Sequence, residues 1–359
     1  MWSFRNDRLL EPVDVTVANL MAMLGRYQGR QAFYQHQAPQ VLETLRRSAI
    51  VESTEASNHI EGIVVPPQRF EALMAQAVPE TRSESKVAGY RDVLAHIHAG
   101  QVGLPLTPGT IRALYADLYA YLPGEGGAEG GAWRQRDNVI WQVPPDGQSP
   151  EPAAGRQVKH FAPLPAGDVP AAMEELCHHL ATAWQGEQVD RLLVTSGFIL
   201  DFLCIHPFPG GNGRLARLLT LLLLNKAGYE VGRYISLERI IEQTKETYYE
   251  ALHRSGERWD VGQHDLTPWH QHSLGVLVYA YREFEERVGT LDTAPGAKGR
   301  AVQLAIETLR RGQTFAIAEL ERVCPGVKRA TIRRVLGELR AQGQVECMGT
   351  GRTARWRRL

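Results

Sequence analysis

The sequence has little that would fix its fold covalently or place it in a membrane. It holds 4 cysteines in 359 residues, scattered at Cys177, Cys204, Cys324 and Cys347. No Cys-x-x-Cys pair occurs, so neither a disulfide framework nor a zinc ribbon is supported, and a reducing cytoplasm is the expected location. Long apolar runs are missing as well. The best, Leu215–Leu224, is interrupted by Arg217 and is shorter than the roughly 18 residues a membrane span requires. Met1–Arg8 is charged early and lacks the apolar stretch of a signal peptide. Net charge is absent too, with 40 Lys+Arg against 40 Asp+Glu.

That neutrality is a cancellation. Residues 297–359 carry 14 basic and 5 acidic side chains, a balance of +9, so the remaining chain stands at −9. A basic module on an acidic body is expected. The hydrophobic fraction of 43% is that of a globular protein, and the length allows two or three domains.

The body reads as mainly α. Apolar periodicity predicts helices over 15–27, 41–61, 67–77, 84–99 and 107–121, then over 171–184, 190–204, 212–227, 237–255 and 267–288. Thr107-Pro108 supplies an N-cap followed by proline at the first helical position. Between the two groups lie Pro123–Ala132, which reads PGEGGAEGGA, and the Pro- and Gly-rich 144–170. Loops longer than about 12–15 residues are usually functional or disordered. This one, with a short extended stretch at 138–143, is expected to be a substrate-facing flap.

The chemistry concentrates at His206–Arg217, which reads H-P-F-P-G-G-N-G-R-L-A-R between two apolar helical runs. Glycines let backbone N–H groups approach anionic oxygens, and a helix opening there offers unsatisfied N–H groups and a positive dipole end. Arg214 and Arg217 lie three apart, hence on one face, as fixed cations for phosphate. His206 stands before the loop as a candidate general base. Taken one at a time, these features are equally those of an inter-helix turn and a structural histidine; their joint presence within one short segment favours a phosphate site.

Together the residues resemble the signature of the Fic family (filamentation induced by cAMP), H-x-F-x-[D/E]-G-N-G-R-x-x-R. The resemblance implies a helical fold and transfer of AMP from ATP to a Ser, Thr or Tyr hydroxyl of a target protein, with the protein itself a further candidate target. By resemblance His206 deprotonates the target, Phe208 anchors the loop, Gly211, Asn212 and Gly213 form the anion hole, and Arg214 and Arg217 hold the β- and γ-phosphates. The departure is Gly210, where the family carries the carboxylate that holds Mg²⁺. ATP is the implied donor, and Mg²⁺ a candidate with no side-chain ligand at 210. Open readings are a weak transferase, a different phosphate-containing donor, an active parent altered at this position, and a nucleotide-sensing module of a transcriptional regulator without transferase activity.

Ser57–Gly62 reads S-N-H-I-E-G, and Ser57 and Glu61 share a helix face. The pattern resembles the family's inhibitory motif [S/T]-x-x-x-E-[G/N], which implies that Glu61 pairs with Arg217 and restrains it, with Ser57 and Gly62 completing the motif. Asn138, Val139, Ile140 and Trp141 fall where the family docks its target by strand addition; an ordinary loop strand is the other reading. Tyr248-Tyr249 is either a core pair or, at Tyr249, the family's aromatic beside the nucleoside. His264, His270 and His272 lack metal-ligand spacing and read as structural.

The basic module resembles a winged helix-turn-helix. Helices are expected at 298–311, 314–323 and 328–342, with a hairpin of 345–348 and 353–357 across Gly349-Thr350-Gly351. Lys328, Arg329, Arg333 and Arg334 on the third helix, with Arg352 and Arg355 in the wing, are the candidate DNA contacts; protein docking is the other reading. The expected organisation is a helical extension over 1–99 carrying the inhibitory motif, a Fic-type core with a short β-hairpin flap over 100–290, a linker over 291–299 and the winged helix over 300–359. A homodimer is a candidate assembly.

Overall fold

The computed structural model describes residues 1–37, 39–99, 105–122, 131–138, 140–141, 159–161, 163–186, 188–292, 297–307, 309, 311–324, 327–349 and 354–359. The helices are α1 Val15–Gln37, α2 Pro39–Ile60, α3 Pro67–Met74, α4 Arg82–His98, α5 Pro108–Leu118, α6 Val169–Gln185, α7 Arg191–Ile205, α8 Asn212–Lys226, α9 Leu237–Gln243, α10 Lys245–Gly256, α11 Thr267–Asp292, α12 Ala297–Glu307, α13 Ile317–Val323 and α14 Arg329–Ala341. The strands are β1 Ile140–Trp141, β2 Lys159–Phe161, β3 Thr314–Ala316, β4 Val345–Met348 and β5 Arg355–Arg358. The protein is mainly α, as its periodicity predicts. Among the described residues no helix is long and apolar enough to cross a membrane.

The chain forms two compact units. One comprises Met1–Met21, Thr54–Gly228 and Ile241–Val276; the other comprises Ala22–Ser53, Tyr229–Ile240 and Leu277–Leu359. At the centre of the first lies α7, in which every residue from Leu192 to Ile205 is buried. Its apolar side chains run all round the helix, which suits a fully enclosed position. α6 and α8 pack against it, and α4 and α5 pack against α8. Starts are fixed by side chains, as the Thr107-Pro108 pair predicts for α5: Thr107 Oγ1 accepts from Thr110 N at 3.1 Å, and Asp190 does the same for α7 from Leu192 N at 2.8 Å. Each such cap contributes about 1 kcal/mol. α2 ends as a Schellman turn: Ile63 N donates to Asn58 O and Gly62 N to His59 O, both at 2.9 Å, with Gly62 at φ 71°. Glu61 is therefore held in the turn that closes α2.

Three histidines of this unit, His264, His270 and His272, are neutral at pH 7. His264 bonds Ser3 Oγ at 3.1 Å and His270 bonds Ser196 Oγ at 2.9 Å. Burial pushes His264, His270 and His272 down to about 4 from the ordinary 6.5. The unfolded chain binds protons at these sites before the folded one does. The melting temperature should therefore hold above pH 7 and fall as pH drops from 6.5 toward 4, a shift that calorimetry across that range would measure.

Some expected elements differ, and α1 runs on to Gln37, ten residues past the expected end at 27. The helix predicted over 237–255 is broken at Thr244 (φ −118°, ψ 35°), a β-branched residue with low helix preference, and becomes α9 and α10. In the second unit the residues expected to open a helix at 314 form β3 instead, with Phe315 buried and its neighbours half-exposed. β3 pairs with β5 (Thr314↔Arg357, Ala316↔Arg355), and β5 pairs with β4 (Val345↔Arg358, Met348↔Arg355), giving an antiparallel sheet of order β3-β5-β4. The hairpin is thus present with its second strand shifted to 355–358, and it gains a third strand. α12 and α13 pack on α14 around Val302, Phe315, Leu320, Ile332 and Leu336. The outward side of α14 exposes Lys328, Arg329, Arg333 and Arg334. Arg329 meets Glu321 at 3.5 Å, Arg334 meets Glu338 at 2.5 Å and Arg355 meets Glu319 at 3.5 Å. Arg352 lies outside the described residues.

Candidate active site

The site is built where α7 ends and α8 begins. His206 closes α7 in the left-handed region at φ 50° and ψ 60°. A non-glycine residue there is strained and persists only when its surroundings hold it. Arg134 does the holding. Its Nε donates to His206 O at 2.9 Å and its Nη2 to Ile205 O at 3.3 Å. Its backbone N donates to Pro207 O at 2.9 Å. The same guanidinium reaches Arg136 O at 3.2 Å and the carbonyl of Leu164. One buried cation therefore satisfies the orphan carbonyls at the end of α7 and ties them to both stems of the 131–164 excursion. Arg134→Gln should lower stability by about 3 kcal/mol, since several buried carbonyls lose their donor; urea unfolding would measure it.

The excursion carries the short strand pair on the stretch expected to be a flap. β1 pairs antiparallel with β2, Ile140↔Phe161 and Trp141↔Lys159. Val139 lies outside the described residues. Asn138 Nδ2 reaches Phe208 O at 3.5 Å.

The loop is closed from within by Asn212. Its Oδ1 accepts from Phe208 N at 3.0 Å and its Nδ2 donates to Phe208 O at 2.9 Å. Phe208 is fully buried and stacks on Tyr115 with ring centroids 3.8 Å apart, Trp133 tilting against it at 4.9 Å. Gly211, at φ 74°, is the N-cap of α8, and only glycine adopts that conformation without cost.

Both arginines are buried. Arg214 Nη2 donates to Tyr119 Oη at 3.0 Å and Nη1 to Lys86 O at 3.3 Å; among the described residues its buried Nε has no partner. Arg217 Nε donates to Ser57 Oγ at 2.8 Å, and its Nη2 to Ser57 O and to Glu61 Oε1, both at 2.9 Å. Glu61 reaches the anion loop itself: a Cβ at Gly213 would overlap its Oε1. Burial raises the Glu61 carboxyl, but the Arg217 charge and hydrogen bond, helped by Arg214 and His206, outweigh it and hold the carboxyl below its ordinary value. The Glu61–Arg217 contact that the family resemblance implies is present.

Burial pushes His206 down to about 4. A hydrogen bond to the Leu203 backbone and the charge of Glu61 act upward, and Arg134 acts downward. The imidazole is therefore neutral at pH 7, the state a proton acceptor needs. Tyr248 is buried and feels the charges of Arg217 and Glu61. Tyr249 is 43% exposed on α10, with Lys245 Nζ 5.9 Å from its ring centroid.

The donor set suits the phosphates of a nucleotide: two guanidiniums, an orphaned buried N–H and a glycine-capped helix start. It does not suit a Mg²⁺ ion held from position 210. Gly210 has no side chain, and among the described residues no group of three His, Cys, Asp or Glu is assembled.

This arrangement matches a known domain, since residues 105–224 match the Fic/DOC family model. The chain contains a Fic/DOC family domain. Ser57 and Glu61 lie before the matched stretch, so the side chains that bond Arg217 come from outside it. Three solved structures share the Fic fold. A Fic family protein from Desulfovibrio desulfuricans G20 is 23% identical with TM-score 0.60, over 97% of both chains. A Fic domain containing signaling protein from Bacteroides thetaiotaomicron is 18% identical with TM-score 0.57, over 78% of this chain and 100% of that one. Fic-1 (residues 134–508) from C. elegans is 18% identical with TM-score 0.54, over 76% and 74%. Among curated proteins, the ribonucleoside-diphosphate reductase small chain of Ostreid herpesvirus 1 is 45% identical over 51 residues, which is 14% of this chain and only 9% of that one.

Sequence reasoning brought His206, Gly211, Asn212, Gly213, Arg214, Arg217, Ser57, Glu61 and Gly62 to one place. It missed Arg134, Tyr115 and Tyr119. The two tyrosines are four apart on and just after α5, an aromatic i,i+4 pair that in sequence is indistinguishable from core packing. Arg134 sits in a glycine-rich loop with no periodicity to mark it.

Proposed function

We propose that the protein is an adenylyltransferase that moves AMP from ATP to a hydroxyl side chain of a target protein, and that Glu61 restrains it. The observation that carries this reading is a neutral His206 at the mouth of an anion loop whose second arginine is engaged by Glu61. In the transfer the target oxygen attacks the α-phosphorus while the bond to the β-bridging oxygen breaks. Pyrophosphate leaves, and His206 takes the hydroxyl proton. Arg214 and Arg217 neutralise the departing phosphates, and the α8 start orients them; such chemistry is carried mostly by positioning and charge. The strand pair β1–β2 is the docking edge for an extended target segment, and Tyr249 borders the nucleoside.

The test is incubation with ATP labelled at the α- or the γ-phosphate. The expected result is label on protein from the α-position alone; label from the γ-position alone would make it a kinase, and label from neither, with ATP still bound, would favour a nucleotide-sensing module. Gly210 is the feature that supports that second reading.

The reading places the protein in the cytoplasm, supported by four free thiols, three of them buried. The helix–strand–helix–helix–strand–strand order of residues 297–358 supports a winged helix, with α14 and its basic face as the DNA-reading element. A labelled duplex should shift in a salt-dependent way; no shift at low salt would make the module a protein-docking unit.

A further inference from the structure

Position 210 defines the unusual feature of the site. A carboxylate there would add negative charge beside the phosphates and would help only with a divalent cation between them. Gly210 adds none, so the phosphates can be met directly by donors. A donor stands at that spot. A Cβ on Gly210 would find Tyr119 Oη at 3.7 Å and nothing nearer, and a Cβ on Gly211 would find the same oxygen at 2.6 Å. The Tyr119 phenol therefore lies beside the start of the loop, at a place that only a glycine at 211 leaves open, while a side chain at 210 would border it.

Its chemistry is directional. Tyr119 Oη accepts from Arg214 Nη2 at 3.0 Å, beside the Tyr115 ring, whose centroid lies 4.7 Å from its own. Arg214 takes one lone pair of the phenol, and the O–H hydrogen can turn toward an anion. The side chain is 8% exposed, and the guanidinium of Arg214 lies over its ring at 5.3 Å from the centroid, so ring and cation are packed together. Among the described residues the buried Nε–H of Arg214 has no acceptor, which adds a second donor to the pair.

We propose that Tyr119 and Arg214 together form a polyphosphate-binding pair that replaces the metal-holding carboxylate, so that this chain binds a nucleoside triphosphate without a divalent cation. The pair rests on the nucleotide-binding reading above and names how that site holds its phosphates.

The experiment is calorimetric titration of the full chain with ATP and with adenosine, each in Mg²⁺ and in EDTA. For the unaltered protein the ATP dissociation constant should agree within about twofold between the two conditions. Tyr119→Phe, which removes one oxygen, should weaken ATP about tenfold in both conditions, as for a hydrogen bond to a charged group, and leave adenosine unchanged. Gly210→Asp, which has room for its Cβ, should bind ATP about tenfold tighter in Mg²⁺ than in EDTA. A tenfold loss of ATP binding in EDTA by the unaltered protein would overturn the proposal. So would a Tyr119→Phe protein that binds ATP normally, one that loses ATP and adenosine equally, or a Gly210→Asp protein indifferent to Mg²⁺. No ATP binding by any of these proteins would overturn the nucleotide reading itself, whereas ATP binding as expected without label transfer would overturn only the transferase.

Discussion

His206→Asn should lower AMP transfer about 10²- to 10⁴-fold, the usual contribution of a positioned general base, while ATP still binds. Asparagine is the informative replacement because it tolerates the left-handed backbone that His206 adopts at φ 50°; alanine would add strain to the loss of the base. The phosphate donors are untouched, since Arg214 is held by Tyr119 and Arg217 by Ser57. The pH profile of the unaltered enzyme carries a second signature. An imidazole at its ordinary value would lose its basic form as pH falls through 6.5, whereas His206, pushed down to about 4, stays unprotonated. Transfer by the unaltered protein should show no inflection assignable to this histidine between pH 6 and 8. An inflection near 6.5 would mean that the ring is solvated during turnover.

The site was legible to very different degrees. The loop His206–Arg217 could be read because its residues are contiguous and each has a chemical reason to be there. Ser57 and Glu61 could be read because helix spacing puts them on one face. What joins the two came only from the family resemblance: 156 positions separate Glu61 from Arg217, and no local pattern says which cation a helix-end carboxylate meets. Arg134 is the clearest omission. Its role exists only because α7 ends where two loop stems converge, a tertiary fact. β3 shows the same limit in the fold. Thr314-Phe315-Ala316 fits the first turn of an amphipathic helix as well as a strand, and its partner β5 lies some forty residues on.

Glu61→Gly should raise AMP transfer at least tenfold. The carboxylate occupies Arg217 Nη2 at 2.9 Å and lies against Gly213, so in the restrained state the cation and the loop backbone that should receive the phosphate are both covered. A tenfold gain corresponds to only about 1.4 kcal/mol of bias toward the covered state, well within what a charge-assisted bond supplies. The substitution should not unfold the protein. Arg217 keeps its bonds to Ser57 Oγ and Ser57 O, and residue 61 lies just beyond α2 beside Gly62, where a second glycine interrupts no regular helix. The gain should appear as transfer rate rather than as tighter adenosine binding, because the nucleoside end of the ligand does not meet Arg217. Ser57→Ala separates position from charge: it loosens the guanidinium but leaves Glu61 in place, so it should raise transfer far less than Glu61→Gly. Equal gains from the two would show that the restraint lies in the orientation of Arg217 and not in its neutralisation. Label incorporation by Glu61→Gly no greater than that of the unaltered protein, with ATP bound, would remove Glu61 from regulation.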